Sequence, residues 1–169
     1  MNCAAQLSSG GSAKNRGDWN MPDHPEKTEI RRARLRDVPA IAELSGQLGY
    51  PPSAREMAER LTRLLRRPQD SVVLVGESAR EVVGWLHISV VPLLEVPLLA
   101  EINGFIVAEG YRSLGAGAKL LDAAERWARR KGCKTISVRS NVIRQRAHAF
   151  YSGHGFEHYK TQKAFRKDL

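Results

Sequence analysis

The stretch from Ala100 to Gly132 changes periodicity once, and that change limits the folds open to this chain. "AEINGFIV" (100–107) reads as a strand, whereas from Gly115 to Lys131 the apolar positions Gly117, Leu120, Leu121, Ala124, Trp127 and Ala128 recur every three or four residues. The second segment is therefore a helix, and Gly132 stands where a helix terminator belongs. Between the two lies "YRSLGAG", a strand-to-helix loop holding Arg112, Gly115 and Gly117. A strand that feeds a helix through a glycine loop belongs to a layered domain of sheet and helices.

The rest of the chain fits around that unit. "TEIRRA" from Thr28 is a short strand, and "RDVPAIAELSGQLGY" places Val38, Ile41, Leu44 and Leu48 at helical spacing with Asp37 available as N-cap. "SAREMAERLTRLLRR" opens with the capping box Ser53-x-x-Glu56 and carries Met57, Leu61, Leu64 and Leu65 on one side. "SVVLVGE" and "VVGWLHISVV" are β-branched runs separated by Ser78 to Glu81, the pattern of two antiparallel strands joined by a tight turn. "TISVRS" is a strand, "QRAHAFYSG" a short helix, and "EHYKTQKAFRK" a closing pair of strands. The order β, α, α, β, β, β, α, β, α, β, β describes an α/β or α+β domain around one mixed sheet. Residues 1–27, rich in Ser, Gly, Asn and Pro, read as a disordered leader, and 28–169 as a single domain.

Three phosphate-binding patterns can be tried on the glycine loop. Gly110 and Gly115 have the spacing of a P-loop, but Ala116 and Gly117 follow where Lys and Ser or Thr are needed. The dinucleotide fingerprint needs a glycine where Leu120 stands. What remains is a helix N-terminus whose free N–H groups and partial positive charge suit a pyrophosphate, with two glycines that let a ligand approach the backbone. Arg112 could supply paired, charge-assisted bonds to a diphosphate. A turn that merely needs flexible residues would carry the same letters, and the loop alone does not separate the two readings.

The balance of 27 Lys and Arg against 18 Asp and Glu gives a net charge of +9, which favours anionic partners without choosing among them. Two cysteines, Cys3 and Cys133, suggest neither a disulfide framework nor a Cys-based metal site, which suits a reducing cytosol and a cytoplasmic location. No stretch approaches the roughly 18 apolar residues of a membrane span, and no membrane partner is expected. His148, His154 and His158 are interrupted by Gly153 and Gly155 with no acidic or Cys ligand between them, so no metal is expected. Arg55, Arg60, Arg63, Arg66 and Arg67 form a basic helix face, read as solvated surface, with nucleic-acid contact the minority reading. "VVPLLEVPLL" is more apolar than an exposed loop should be and suits packing at an acceptor site or in a homodimer interface.

Arg112-Ser113-Leu114-Gly115-Ala116-Gly117, between "FIVAEGY" and "AKLLDAAERWARRKGC", resembles the acyl-CoA loop Q/R-x-x-G-x-G/A of the GNAT family of N-acetyltransferases. "AHAFYSGHGF" is similar to that family's second motif, A-x-x-x-Y-x-x-x-G-F, with Ala147, Tyr151, Gly155 and Phe156 in place. The resemblance covers residues 28 to 169 and implies a mixed, mostly antiparallel sheet of about seven strands flanked by about four helices. It also implies acetyl transfer from acetyl-CoA to a primary amine of a small molecule or protein, by direct attack in a ternary complex.

Residue roles follow from the same resemblance. Arg112, Ser113, Leu114, Gly115, Ala116, Gly117 and Ala118 would hold the pyrophosphate, and the backbone of Phe105, Ile106 and Val107 would pair with pantetheine like an added strand. A backbone N–H of Phe105 or Val107 would stabilise the oxyanion. Tyr151 would protonate the leaving thiolate. Glu101 would be the base for the acceptor ammonium, on the same strand face as Asn103, Phe105 and Val107; an ordinary surface glutamate with water as base is the competing reading. Many relatives carry an asparagine at the position of Arg144, and Asn141, one helical turn earlier, is the available substitute; Phe150 joins the cofactor set from the second motif.

The loop Gln47 to Pro52 and the closing hairpin around Lys160 to Gln162 would shape the acceptor site. They hold one aromatic, Tyr50, and no acidic cluster, so a modestly charged amine is expected over a polycation such as an aminoglycoside. A function of another class also fits the charge: a basic binding module on the same fold, docking nucleic acid or an acidic partner with CoA as ligand. The intact glycine loop and Tyr151 favour the enzyme, because a binding module needs neither.

Overall fold

The computed structural model describes residues 28–49 and 51–169; the leader expected over residues 1–27 and the side chain of Tyr50 lie outside the described residues. The first strand, β1 (Glu29–Arg32), runs into a 3-10 turn at Leu35–Asp37 and the helix α1 (Val38–Gln47). Asp37 sits at the N-cap position, as the sequence suggested, but its side chain caps nothing on α1. Its carboxylate instead accepts two hydrogen bonds from the Arg31 guanidinium, at 2.7 and 2.8 Å, and one from the Arg34 backbone N–H at 2.7 Å. Burial pushes this carboxyl up, and the Arg31 and Arg34 bonds more than offset it, leaving Asp37 below its ordinary value. Arg31 also bonds Glu77 at 2.7 Å, which clamps the start of the chain to the next strand.

The second helix, α2 (Ala54–Leu65), begins with the expected capping box: the Ser53 hydroxyl accepts from the Glu56 N–H, and the Glu56 carboxylate accepts from the Ser53 N–H. Strands β2 (Ser71–Ser78) and β3 (Glu81–Val91) form the predicted hairpin, with Ala79 and Arg80 at positive φ in the turn. Then follow β4 (Leu99–Val107), a 3-10 turn at Glu109–Tyr111, α3 (Ala116–Arg130), β5 (Thr135–Val138) and α4 (Gln145–Gly153). The sheet order is β1-β2-β3-β4-β5, antiparallel except for the parallel β4–β5 pair.

Helices cover both faces. On one, Val73, Val75 and Trp85 pack with Ile41 of α1 and Leu61 and Met57 of α2. On the other, Val72, Leu74, Leu86, Ile88, Ala100 and Ile102 meet Leu120, Leu121, Ala124 and Trp127 of α3, joined by Phe150 of α4. This second cluster is the larger core, because α3 buries Leu120, Leu121 and Ala124 completely against three strands. Gly132, at φ +78°, ends α3 in the left-handed conformation its position predicted.

The sheet has five strands among the described residues, against about seven expected. The difference lies in 157–167, expected as a closing strand pair, where no strand forms and Tyr159 and Phe165 are exposed. Those residues carry polar or charged side chains at most positions, so little apolar surface is gained by docking them. The connection between β3 and β4 leaves Leu93, Leu94 and Val96 exposed, consistent with the excess apolar character read there.

One glycine in the sheet is required by packing. A Cβ at Gly104 would lie 2.7 Å from the Trp85 ring, whereas a Cβ at Gly110 meets nothing within 4 Å. Gly104→Ala should therefore lower unfolding free energy by about 1–3 kcal/mol, the usual penalty of overpacking, and Gly110→Ala should change it by under about 0.5 kcal/mol. Urea titration followed by tryptophan fluorescence reads both, and equal stability of the two variants would refute the close packing.

Candidate active site

The site begins where the sheet comes apart. Strands β4 and β5 pair in register from Leu99–Thr135 to Ile102–Val138 and no further. From Asn103 to Val107, β4 has a strand neighbour among the described residues on one side only, β3, so its other edge leaves backbone N–H and C=O groups free for a bound chain. Phe105, Ile106 and Val107 all lie in this half-paired stretch.

A bulge coincides with the start of the gap. Opposite residues run Leu86 to Phe105, His87 to Gly104, then Ile88 to Ile102, so Asn103 is the extra residue. Directly opposed residues share a face, which corrects the simple alternation expected for β4. Glu101 lies with Ser89, on the face covered by α1 and α2, while Phe105 and Val107 lie with Leu86 on the face of α3 and α4. Glu101 and Phe105 are thus on opposite faces. Asn103 bridges to the first group, its Nδ2 donating to Ser89 Oγ at 2.8 Å.

Below the gap, Gly115 is the N-cap of α3 at φ +86°, and no side chain caps the helix. Ser113 is also left-handed, at φ 68°. With no side chain capping the first N–H groups of α3, this helix end is suited to an anion. A Cβ at Gly115 would meet nothing, so that glycine is needed for its backbone conformation. Gly117 has a different reason from the expected close approach of ligand to backbone: a Cβ there would lie 3.2 Å from the Phe150 ring and 3.7 Å from Phe105. Its missing side chain makes room for aromatic packing.

Arg112 turns back toward the strand, its Nε donating to the Val107 carbonyl at 3.0 Å, with Glu109 3.9 Å from the guanidinium. The guanidinium keeps donors free beside the loop. Arg146, which the sequence reading passed over, brings a second guanidinium there, with Nη2 3.4 Å from Ser113 Oγ. Leu114 is exposed at the loop tip, and Ala116 and Ala118 lie in the first turn of α3. Asn141 is exposed, and its Oδ1 accepts from the Ile143 N–H at 3.2 Å, an Asx turn that leads into α4. Arg144 donates to the Leu48 carbonyl at 2.9 Å, tying the turn before α4 to the end of α1.

Tyr151 stands over the gap on the α3–α4 face. Its ring packs against Phe150 at 5.6 Å, Phe156 at 5.4 Å and Phe105 at 6.5 Å between centroids. Burial pushes its phenol up to about 12, with a small opposing pull from Arg144. The phenol therefore keeps its proton throughout the physiological range. Phe150 sits edge-on to Phe105 at 5.6 Å and fixes α4 to both β4 and α3.

On the other face, Glu101 pairs with Arg139 at 2.5 Å. His87, also absent from the sequence reading, shares this face, and its Nε2 is shielded from solvent without a hydrogen-bond partner. Its signal was hidden in "LHISVV", where one histidine in an apolar run looks like strand filler. The three histidines weighed as metal ligands go separate ways: His148 bonds the Asn141 carbonyl, His154 the Phe150 carbonyl and His158 the Thr161 hydroxyl. No helix among the described residues is long and apolar enough to cross a membrane.

The sequence matches the model of the GNAT acetyltransferase family over residues 37–156. An aminoglycoside N(6')-acetyltransferase type 1 of Stenotrophomonas maltophilia is 31% identical over 144 residues, covering 83% of this chain and 93% of that protein. An uncharacterized N-acetyltransferase of Bacillus subtilis is 28% identical over 135 residues, 76% of this chain and 89% of its own. Among solved structures, an aminoglycoside 6'-N-acetyltransferase of Acinetobacter haemolyticus superimposes with a TM-score of 0.72 at 21% identity, covering 83% and 99% of the two chains. Glucosamine-6-phosphate N-acetyltransferase of Arabidopsis thaliana gives 0.73 at 18%, covering 85% and 100%. A split between β4 and β5, an uncapped helix N-terminus below it and a tyrosine above it thus occur in a chain that belongs to the GNAT acetyltransferase family.

Proposed function

We propose that this acetyltransferase moves the acetyl group of acetyl-CoA to the primary amine of a small amino sugar by direct attack in a ternary complex. The observation that carries the reading is the half-paired stretch of β4 between the α3 N-terminus and Tyr151. Pantetheine completes the missing strand on Phe105, Ile106 and Val107, and the pyrophosphate rests on the N–H groups of Gly115 to Ala118. Arg112 and Arg146 flank it, with Ser113 and Leu114 forming the loop wall. Phe150 holds the start of α3 in place, and the Asn141 amide, whose oxygen is committed to its turn, has only its N–H groups to offer the pantetheine arm.

Attack on the acetyl carbon builds an oxyanion, and a β4 backbone N–H from Phe105 or Val107 faces it in the gap. The thiolate leaves toward the Tyr151 phenol. Burial raises the phenol, and the same desolvation penalises a thiolate departing into the same site, so proton transfer between them stays matched. Glu101 faces the acceptor amine from the opposite side of the sheet, its carboxylate engaged by Arg139.

The names of the relatives point to amino sugars as acceptors. The charges around this site support one of modest positive charge. Arg139 pairs with the Glu101 carboxylate and Arg144 lies close enough to the Tyr151 phenol to act on it, and a polycation would meet their repulsion.

Free-thiol release across a panel of amines should show kcat/KM highest for monoamino sugars and lowest for polycationic aminoglycosides; the reverse order would refute the acceptor reading. Tyr151→Phe should fold and bind acetyl-CoA normally while kcat falls about 10²–10⁴-fold, and wild-type turnover in single-turnover experiments would remove the phenol from the chemistry. In an alkaline titration at 295 nm, the phenolate step near pH 12 should vanish in that variant. Arg146→Ala should weaken acetyl-CoA binding by about 1.5–3 kcal/mol in calorimetry through loss of a charge-assisted contact, and unchanged affinity would place Arg146 outside the phosphate site.

A further inference from the structure

Acetyl transfer at neutral pH needs a group to take a proton from the acceptor ammonium, because only a neutral amine has a lone pair to attack with. Glu101 is committed to Arg139 across the β4–β5 register, where Glu101 opposes Ser137. The neighbouring position on the same face is held by His87. In the sheet it lies between Val73 of β2 and Gly104 of β4, two positions that offer its ring no polar side chain. Its Nε2 is consequently shielded and unpartnered, while Ser89, the next residue on that face, already accepts from Asn103. A buried nitrogen without a partner is unfavourable in a resting protein and is retained where a ligand or water completes the bond.

Resting on the acetyl-transfer reading, we propose that His87 takes the proton from the acceptor ammonium, and that Glu101, fixed by Arg139, attracts and orients that ammonium. The bulge at Asn103 supplies the geometry: it puts Glu101 and Gly104 on one face, so His87, which opposes Gly104 from β3, shares that face with Glu101, across β4 from its half-paired edge. Besides Glu101 and its partner Arg139 just past β5, the face carries Ser71 and Val73 on β2, the Arg31, Glu77 and Asp37 cluster toward β1, and the buried Val38, Ile41, Leu44 and Ser45 of α1. Burial pushes the imidazole below its ordinary value, so it is neutral at pH 7 and ready to accept.

The protons balance. The ammonium N–H bond breaks and its proton passes to the imidazole, directly or through one water, and the freed lone pair forms the C–N bond. The C–S bond then breaks and the thiolate takes the Tyr151 proton. The second nitrogen proton, lost as the amide forms, restores the phenol, and the imidazolium releases its proton to solvent. One amide, one thiol and one proton result.

The test is the pH dependence of kcat/KM for the wild type, His87→Gln and Glu101→Gln, by thiol release from acetyl-CoA with the best amine of the panel. Wild-type kcat/KM should rise with pH through a value below 6.5. His87→Gln should lose about 10²-fold near pH 6.5. Its deficit should shrink as pH approaches the amine's own pKa, where the substrate arrives already neutral. Glu101→Gln should instead raise the acceptor KM and keep the acid limb. A wild-type profile in His87→Gln, or a loss equal at every pH, overturns the proposal while leaving acetyl transfer intact. A wild type that releases no thiol with any amine sinks the acetyl-transfer reading itself. If His87→Gln does not fold, NMR of the wild-type ring decides: its carbon-bound proton should titrate below 6.5 and move on addition of the amine, and a resonance indifferent to the amine overturns the assignment.

Discussion

Everything at this site depends on a sheet that is left unzipped. Parallel pairing of β4 with β5 ends at Ile102–Val138, and an intact sheet would have kept its two faces apart with a wall of backbone between them. The gap exposes half of the hydrogen-bonding capacity of residues 103–107, which is costly unless another chain supplies the partners. Tyr151 packs on the α3–α4 face, and Glu101 and His87 lie on the α1–α2 face. In the proposed mechanism, acid and proton acceptor therefore belong to opposite faces of the sheet.

The bulge at Asn103 makes that division possible. With strict alternation, Glu101 and Phe105 would lie on one face, and a carboxylate would sit in the aromatic cluster of Phe105, Phe150 and Tyr151. One extra residue sends the carboxylate to the polar side, where Arg139 awaits it, and the phenyl ring to the core. The aromatic cluster can then exclude water around the phenol. The same packing keeps the N-terminus of α3 in position, because Phe150 rests in the space that Gly117 leaves.

Long-range contacts tie together the elements around the gap. Arg31 holds Asp37 and Glu77 together at the far edge, and removing it would leave a buried carboxylate without its partner, typically worth 3–5 kcal/mol. Lys119 of α3 donates to the Thr28 carbonyl at 3.2 Å, linking α3 to the residue that precedes the first strand. Arg144, by binding the Leu48 carbonyl, ties the end of α1 to the turn before α4. The Arg31–Glu77, Lys119–Thr28 and Arg144–Leu48 contacts span 46 to 96 residues of sequence, so no local pattern announced them.

Local order was legible in the letters because it rests on near-neighbour physics. The capping box of Ser53 and Glu56, the helical period from Gly117 to Ala128, the terminator Gly132 and the loop glycine Gly115 each encode their own conformation within a few residues. So does the strand-loop-helix unit that carries Arg112 and leads toward Tyr151. The tertiary structure alone decided which face each strand residue takes, since a one-residue bulge inverts every side chain beyond it and leaves no mark in composition. It decided that Gly117 serves a phenyl ring, that Asp37 serves Arg31, and that 157–167 adds no strand. It also left the His87 Nε2 shielded and without a hydrogen bond, because whether a buried nitrogen finds a partner depends on neighbours contributed by other strands.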